Sequence, residues 1–251
     1  MSDVTGAERA MSFGAVADGY DRYRPAPPAE AIDWVLPLDA VDVIDLGAGT
    51  GAVARLLRDR VPGRVAAVEP DARMREVLVR RSPGVIAVGG RAEALPFVGA
   101  KFDAVAVASA WHWMDLDLSV PEIARVLRPG GRLGVLWSGP DRSVTWVAEL
   151  LGGGELANET RHRSSRHRVE LVPGGPFADP ETTVIRWAMS MTREDLVGLA
   201  GTYSAVITRP PGERKWFLGR VEQLAMKHLG PSPGATIEVP MRCRCWRAER
   251  N

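Results

Sequence analysis

Short apolar runs alternate with stretches of helical periodicity through the first part of the chain. The runs have the length and the apolar, often branched residues of strands, and the stretches between them place apolar residues three and four positions apart. Five strands are predicted on this basis, at residues 41–46, 64–68, 85–88, 102–108 and 132–137. Because strand and helix alternate, the pattern predicts a parallel, doubly wound α/β sheet.

The rest of the chain follows a looser pattern. Residues 138–180 show no clear period, and strand-like alternation returns over 183–189. Thr192 is a good N-cap for a helix that opens with acidic residues, and residues 235–246 have the alternation of a last strand. No repeat, low-complexity tract or linker separates these parts, so we predict a single domain over residues 1–251.

Three glycines follow the first predicted strand. Gly47, Gly49 and Gly51 stand between the apolar run at 41–46 and a helical segment that begins near Val53. Glycine adopts positive φ readily and has no Cβ, so a ligand can approach the backbone of such a turn closely. Strand, glycine turn and helix together predict a site for a nucleotide-like ligand.

A carboxylate follows the second predicted strand. Glu69 comes about 20 residues after the first strand, the separation at which nucleotide-binding α/β folds place an acid that holds a ribose diol. Asp71 is expected to cap the following helix instead. Met74, on the first turn of that helix, either flanks an adenine or packs in the core, and the sequence leaves both open.

Two tryptophans flank a histidine at the tip of the fourth predicted strand, in the segment 109–115. The carboxyl ends of parallel strands form the edge at which open α/β sheets bind ligands. His112 is therefore a candidate general base, because the ordinary pKa of histidine lies close to neutrality. The alternative is that Trp111 and Trp113 pack a helix against the sheet while His112 remains half exposed.

Composition narrows the classes of partner. A net charge of +1, from 32 basic and 31 acidic residues, argues against nucleic acid and against an anionic membrane. Neither a leader-like segment nor an apolar run of transmembrane length is found, so we expect a cytoplasmic protein.

Cys243 and Cys245 alternate along the last strand and are expected to be buried thiols on one face. No metal site is predicted, since these cysteines have no histidine or cysteine partners at ligand spacing.

Several motifs follow one another in a recognisable order. They are DLGAGTG at 45–51, VEPD at 68–71, GRAEALPF at 90–97, FD at 102–103, AWHWMD at 110–115 and LRPGG at 127–131. Their order and spacing resemble those of the class I S-adenosylmethionine-dependent methyltransferases, and specifically the small-molecule type 11 group that includes trans-aconitate methyltransferase-like proteins. The likeness extends to the segment from Phe13 to Pro25 and to the segment after Trp137, and it is weakest over 152–180.

The resemblance implies a Rossmann-like, doubly wound, seven-stranded sheet that is mostly parallel, with an antiparallel last strand and helical lid elements. It divides the single domain into an N-terminal lid and first helix at 1–40, a cofactor-binding core at 41–137, and an acceptor-side insertion with C-terminal strands at 138–251. The implied cofactor is S-adenosyl-L-methionine, lying across the carboxyl ends of the first, second and fourth strands.

The resemblance also implies which residues contact the cofactor. Asp45 and the turn backbone would meet the methionine moiety, Glu69 would hold the ribose hydroxyls, and Ser109 would lie beside the methionine part. The lid would close over the cofactor or approach its carboxylate, and the 90–97 segment would border the adenine. The full implied set is Tyr20, Arg24, Asp45, Gly47, Ala48, Gly49, Gly51, Glu69, Pro70, Met74, Ala92, Glu93 and Ser109.

One position departs from the group. Many relatives carry an acid at the position of Arg91, aimed at the adenine amino group, and an arginine cannot accept that hydrogen bond. Either Glu93 or the backbone must accept it here, or the adenine is held more loosely.

The functional hypothesis is methyl transfer to a small-molecule acceptor by in-line displacement. His112 would act as the base if the acceptor must lose a proton, whereas a carboxylate acceptor needs no base and would be oriented by an arginine such as Arg24. Trp111, Trp113 and Trp137 would form the walls of the acceptor pocket.

Two rival functions are considered. An NAD-dependent oxidoreductase fits the glycines and Glu69, but it leaves the 111–115 segment without a role. A non-catalytic binding module with this fold is the other rival, and the intact Asp45 and Glu69 count against it. The sequence leaves open the acceptor, the atom that is methylated, the oligomeric state and the role of the basic loop at 161–168.

Overall fold

The computed structural model describes residues 14, 17–151, 169, 171–232 and 234–251, so Phe13 and the basic loop at 161–168 lie outside the described residues. The strands are β1 (Val43–Leu46), β2 (Val65–Val68), β3 (Ile86–Val88), β4 (Phe102–Ala108), β5 (Leu127–Pro140), β6 (Glu181–Thr192) and β7 (Thr236–Glu249). The helices are α1 (Ala17–Tyr23), α2 (Ala29–Val35), α3 (Ala52–Arg58), α4 (Ala72–Arg81), α5 (Leu116–Val126), α6 (Thr145–Leu150), α7 (Arg193–Gly201), α8 (Ser204–Ile207) and α9 (Pro211–Leu229). A short 3₁₀ helix covers Trp111–Trp113.

The described strands form one seven-stranded sheet in the order β3-β2-β1-β4-β5-β7-β6. β1 pairs in parallel with both β2 and β4, and parallel pairs continue outwards to β3 and β5. β7 runs antiparallel. This confirms the predicted Rossmann-like, doubly wound sheet with an antiparallel last strand. The strand order reverses between β1 and its neighbour β4, so the usual ligand-binding crevice of such sheets lies at the carboxyl end of β1.

The central strands are short and buried along their whole length. Every residue of β1 and of β2 is buried, as expected where helices cover both faces of a parallel sheet. Only one of these positions carries a charge. Asp45, near the carboxyl end of β1, is 1% exposed.

Two helix starts follow the predicted caps. The Asp71 carboxylate accepts a hydrogen bond from the Arg73 amide at 2.9 Å and so caps α4. Thr192 and Asp195 form a capping box at the start of α7, each side chain bonding the backbone amide of the other.

The start of β5 differs from its prediction. The fifth strand is predicted to begin at Arg132, but it begins at Leu127 and includes the segment from Arg128 to Gly131. Its register against β4 shifts here, since Leu127 pairs with Phe102 whereas Arg132 pairs with Ala104. The extra residues bulge because Gly130 has φ +74°, and the backbone groups of the bulge bond Arg250 instead of β4.

The described chain divides into two compact units. Of the described residues, the larger unit comprises 26–138, 169, 171–185 and 243–251, and the smaller unit comprises 14, 17–25, 139–151, 186–232 and 234–242. Each has its own apolar core. That of the larger unit includes Ile44, Val68, Val105, Ile123 and Leu133, and that of the smaller unit includes Leu150, Leu196, Leu199, Phe217 and Val221. The single domain over 1–251 stays a prediction.

The cysteines behave as expected from the alternation of β7. Cys243 and Cys245 are both fully buried and free, and their Sγ atoms are 3.6 Å apart, which confirms buried thiols on one face of the strand. None of the helices in the described ranges is long and apolar enough to cross a membrane. The same ranges contain no cluster of three or more His, Cys, Asp or Glu residues that could hold a metal ion.

Candidate functional site

The turn between β1 and α3 brings its backbone close to its neighbours. Gly47, Gly49 and Gly51 all have positive φ, at +70°, +57° and +87°. A Cβ on Gly47 would lie 2.5 Å from the Cβ of Ala110, which follows β4, so only glycine fits there. The Gly47 and Ala48 amides both donate to the carbonyl of Val68 at the end of β2. The predicted glycine turn is therefore packed against the ends of β2 and β4.

Asp45 presents a buried carboxylate beneath this turn. Its side chain accepts a hydrogen bond from the backbone of Ala54, while its Oδ2 is buried and has no hydrogen-bond partner among the described residues. Burial raises the pKa of Asp45 to about 7, and the nearby Glu69 charge adds to this, against the Ala54 amide and Arg55. Asp45 thus has a buried acceptor oxygen for which the described residues supply no donor.

Glu69, directly after β2, links the glycine turn to the start of α4. Its Oε2 accepts a hydrogen bond from the Gly49 amide at 2.9 Å, and its Oε1 accepts one from the Asp71 amide at 2.9 Å. The residue is 8% exposed, and burial raises its pKa although both amides oppose the rise. The carboxylate is fixed in position beside Asp45, as predicted for an acid at the tip of the second strand.

The residues predicted to border the adenine lie on the first turn of α4 and in the loop between β3 and β4. Met74 is 5% exposed, and its Cε is 3.4 Å from the position of a Cβ on Gly49, so it packs directly under the glycine turn. Ala92 is buried, and Glu93 accepts a hydrogen bond from the Asp115 amide at 3.0 Å. The Arg91 side chain is 70% exposed and lies 3.8 Å from the Glu93 carboxylate. Pro70 is exposed.

The tip of β4 carries a strained residue. Ser109 has φ +56°, a left-handed conformation that is uncommon outside glycine, and its amide donates to Leu136 at 2.8 Å. His112 and Trp113 are half-buried, with ring centroids 4.5 Å apart. Strain of this kind clusters at ligand sites, where surrounding structure holds it in place.

Two of the predicted acceptor-pocket tryptophans lie in the core of the larger unit. Trp111 is 1% exposed. Trp137 is 8% exposed and packs edge-on against Trp246, with ring centroids 4.8 Å apart. These placements agree with the packing alternative for Trp111, and the acceptor-pocket role of all three tryptophans stays a prediction.

The lid residues lie in the smaller unit. Arg24 follows α1 and stacks on the rings of Tyr20 and Tyr203, and Arg142 lies over the same Tyr203 ring. Contact of Tyr20 and Arg24 with a cofactor stays a prediction. Sequence reasoning did not find Arg142 or Tyr203, because neither belongs to a motif and they lie far apart in the chain.

Comparisons with known proteins decide the family. A family model described as a methyltransferase domain matches residues 44–135. An uncharacterised methyltransferase of Mycobacterium tuberculosis is 39% identical over 241 residues, which is 96% of this chain and 96% of that protein. The chain belongs to the methyltransferase family. It is an S-adenosylmethionine-dependent enzyme, and the family decides against the oxidoreductase alternative.

Other methyltransferases agree with this assignment. A demethylmenaquinone methyltransferase of Thermus thermophilus is 34% identical over 181 residues, which is 66% of this chain and 79% of that protein. A solved structure from Anaeromyxobacter dehalogenans, described as a candidate type II methyltransferase, has a TM-score of 0.65 at 26% identity and covers 91% of this chain and 98% of its own.

The residues at the end of β1 fit the methyl donor. S-adenosylmethionine carries an ammonium group, a ribose diol and an adenine. Asp45 offers a buried oxygen that accepts no hydrogen bond from any described residue, and Glu69 offers a fixed carboxylate. The glycine turn admits close approach to its backbone.

Proposed function

We propose that this methyltransferase acts on a small-molecule acceptor, as the trans-aconitate methyltransferase-like group does, and transfers the methyl group by in-line displacement. The observation that carries the cofactor half of the proposal is the buried pair Asp45 and Glu69 at the glycine turn. The near-neutral net charge of +1 supports a small acceptor over nucleic acid.

Within this site each group has a distinct role. Asp45 accepts from the cofactor's ammonium through Oδ2, the oxygen that no described residue uses. Glu69 holds the ribose hydroxyls, since a fixed carboxylate can accept more hydrogen bonds than the two it takes from Gly49 and Asp71. Met74 and Ala92 form the apolar surface beside the adenine.

The protein's share of catalysis is positioning and exclusion of water. When bound, S-adenosylmethionine supplies a methyl group on a positively charged sulfur that leaves as a neutral thioether. The acceptor's lone pair forms the new bond as the carbon–sulfur bond breaks, so little covalent work remains for side chains. If the acceptor must lose a proton, His112 at the tip of β4 takes it; a carboxylate acceptor needs no such step.

A label-partition experiment tests the acceptor class. The enzyme is incubated with methyl-labelled S-adenosylmethionine and, separately, with small-molecule, protein and nucleic-acid fractions of a cell extract. Label is expected in the small-molecule fraction alone. Label that enters protein or nucleic acid instead would contradict the proposal.

Calorimetric titration tests the cofactor half independently. S-adenosylhomocysteine is expected to bind with a Kd of about micromolar order, and NAD is expected not to bind. Binding of NAD without S-adenosylhomocysteine would overturn the roles given to Asp45 and Glu69.

A further inference from the structure

Arg75 spans the carboxyl ends of β2 and β3 in the larger unit. Its Nη1 donates to the backbone carbonyl of Glu69 at 2.7 Å and to that of Pro70 at 2.8 Å. A Cβ on Gly89, the residue after β3, would lie 3.3 Å from the Arg75 Cζ, so the guanidinium lies against that backbone. One half-buried side chain thus contacts both the loop that follows β2 and the loop that follows β3.

A second arginine near the start of α4 makes a different kind of contact. Arg73 forms an ion pair with the Asp71 carboxylate at 2.8 Å, and that carboxylate caps the helix. Arg75 instead bonds two backbone carbonyls through one nitrogen, so its hydrogen bonds fix the path of the chain after β2. Hydrogen bonds from an ionised donor are shorter and stronger than those between neutral groups, and both of these bonds are short.

The hydrogen bonds from Arg75 complete the set that holds Glu69. The Glu69 amide donates to the Val88 carbonyl at 3.0 Å, so with Arg75 both backbone groups of Glu69 are bonded. Its side chain accepts hydrogen bonds from the amides of Gly49 and Asp71, both at 2.9 Å. A carboxylate that is held through its backbone and through its oxygens keeps one orientation, which a ligand meets without a further ordering cost.

The charge of Arg75 also favours the ionised form of Glu69. Burial raises the pKa of Glu69, and the Asp71 charge adds to the rise. The amides of Asp71 and Gly49 and the positive charge of Arg75 oppose it. An ionised carboxylate only accepts hydrogen bonds, whereas a protonated one must also place a donor. Arg75 therefore favours the state of Glu69 that pairs best with hydroxyl donors.

We propose that Arg75 is a positioning residue for the methyl donor, acting through Glu69 on the ribose hydroxyls. The inference rests on the role given to Glu69 in the proposed function. Arg75 acts by holding the carbonyls of Glu69 and Pro70, so its contribution to binding belongs to the ribose. A substitution of Arg75 that leaves the fold intact should therefore weaken a ligand that has ribose hydroxyls more than a ligand that lacks them.

Calorimetric titration of the full chain with two ligands tests this role. The ligands are S-adenosylhomocysteine and its 2′,3′-dideoxy analogue, which lacks both hydroxyls that Glu69 would hold. Arg75→Met removes the charge and the donors. It is expected to raise the Kd for S-adenosylhomocysteine by about tenfold and the Kd for the analogue by less than about twofold. Arg75→Lys keeps a charged donor, and it is expected to restore the Kd for S-adenosylhomocysteine to within about threefold of that of the unaltered protein.

A double-mutant cycle assigns the effect to Glu69. In Glu69→Ala the carboxylate that Arg75 positions is gone, so adding Arg75→Met is expected to change the Kd for S-adenosylhomocysteine by less than about twofold. Arg81→Met, which replaces an exposed arginine in the last turn of the same helix, is the matched control and should leave both Kd values unchanged. Equal weakening of the two ligands by Arg75→Met, or full additivity with Glu69→Ala, would overturn the inference.

Three other results separate the remaining explanations. If Arg75→Met lowers the melting midpoint and leaves both Kd values unchanged, Arg75 only stabilises the fold and the inference is wrong. If the unaltered protein binds both ligands equally well, Glu69 does not hold the ribose hydroxyls, which overturns the inference and leaves the cofactor site in place. If the unaltered protein does not bind S-adenosylhomocysteine, the proposed cofactor site is itself wrong and the inference falls with it.

Discussion

The two units each hold a charged side chain that the described chain leaves incompletely satisfied. In the larger unit Asp45 is buried with one oxygen unused, and in the smaller unit Arg24 is half-buried without an anion. The surroundings of the two differ. Asp45 lies among motif residues that are close in sequence, whereas Arg24 meets residues 142 and 203 through the fold alone. A local motif can be recognised in a sequence, whereas neighbours such as those of Arg24 are set by the tertiary fold.

The largest expected effect is at Glu69. Glu69→Ala would remove the acceptor proposed for the ribose hydroxyls, and hydrogen bonds to a charged group contribute about 1.5–3 kcal/mol each. The Kd for S-adenosylhomocysteine should rise at least about a hundredfold by calorimetry. Glu76→Ala, an exposed acid on α4, is the control and should leave the Kd unchanged. An unchanged Kd in Glu69→Ala would mean that the motif does not hold the cofactor.

The next largest effects concern stability, and they compare one glycine of the larger unit with one glycine of the smaller unit. A Cβ on Gly51, which has φ +87°, would lie 2.6 Å from Ser82 Oγ and 3.0 Å from Leu78 Cγ, so Gly51→Ala should lower the free energy of unfolding by about 2 kcal/mol. Gly219, inside α9, has open space around its Cβ position, and Gly219→Ala should raise stability by about 0.5–1 kcal/mol. Urea denaturation measures both. A stable Gly51→Ala variant would show that the turn can relax.

The same contrast explains what the sequence could predict. The order of strands and helices follows from periodicity, and Asp45, Glu69 and the glycines are recognisable because strand, turn and helix are contiguous. The predicted start of β5 is wrong because Pro129 and Gly130 are residues typical of loops. In the structure they belong to a bulge whose backbone forms hydrogen bonds with the backbone of Arg250, far away in the sequence. Arg142 and Tyr203 gave no signal for the same reason: their proximity to Arg24 is a tertiary property.

The pH dependence of stability depends on Asp45. A carboxyl whose pKa is higher in the folded protein binds more protons when folded, so the free energy of unfolding falls as pH rises from about 4 to about 7. Asp45 contributes over this window because its pKa is raised to about 7. Asp45→Asn should flatten the part of the slope that ends near neutrality, while Glu69, whose pKa is also raised, keeps its own contribution. Melting midpoints across pH measure this, and identical slopes would contradict it.

Cofactor binding should show the opposite trend. The ammonium that we assign to Asp45 binds the ionised carboxylate better than the protonated one. As pH rises towards about 7, the affinity for S-adenosylhomocysteine should therefore rise by up to about tenfold per pH unit. Binding below about pH 7 should release a proton. Calorimetry in two buffers of different ionisation enthalpy counts that proton. Asp45→Asn should bind more weakly and release none. Proton uptake on binding would contradict the assignment of Asp45 to the ammonium. So would the absence of proton release when the unaltered protein binds the ligand at acid pH.

The smallest expected effects come from relieving backbone strain at two positions of the larger unit, only one of which lies near the candidate cofactor site. Ser109 and Ala100 are the non-glycine residues with positive φ in the described ranges, at +56° and +52°. Glycine relieves such strain, so Ser109→Gly and Ala100→Gly should each raise the free energy of unfolding by up to about 1 kcal/mol.

Ala100 is exposed in the loop before β4, whereas Ser109 lies at the tip of β4 next to Ala110, which packs on Gly47. Only Ser109→Gly should therefore change the Kd for S-adenosylhomocysteine, since a more flexible tip costs more to order on binding. Equal Kd values in both variants would make the left-handed turn at Ser109 a feature of folding alone.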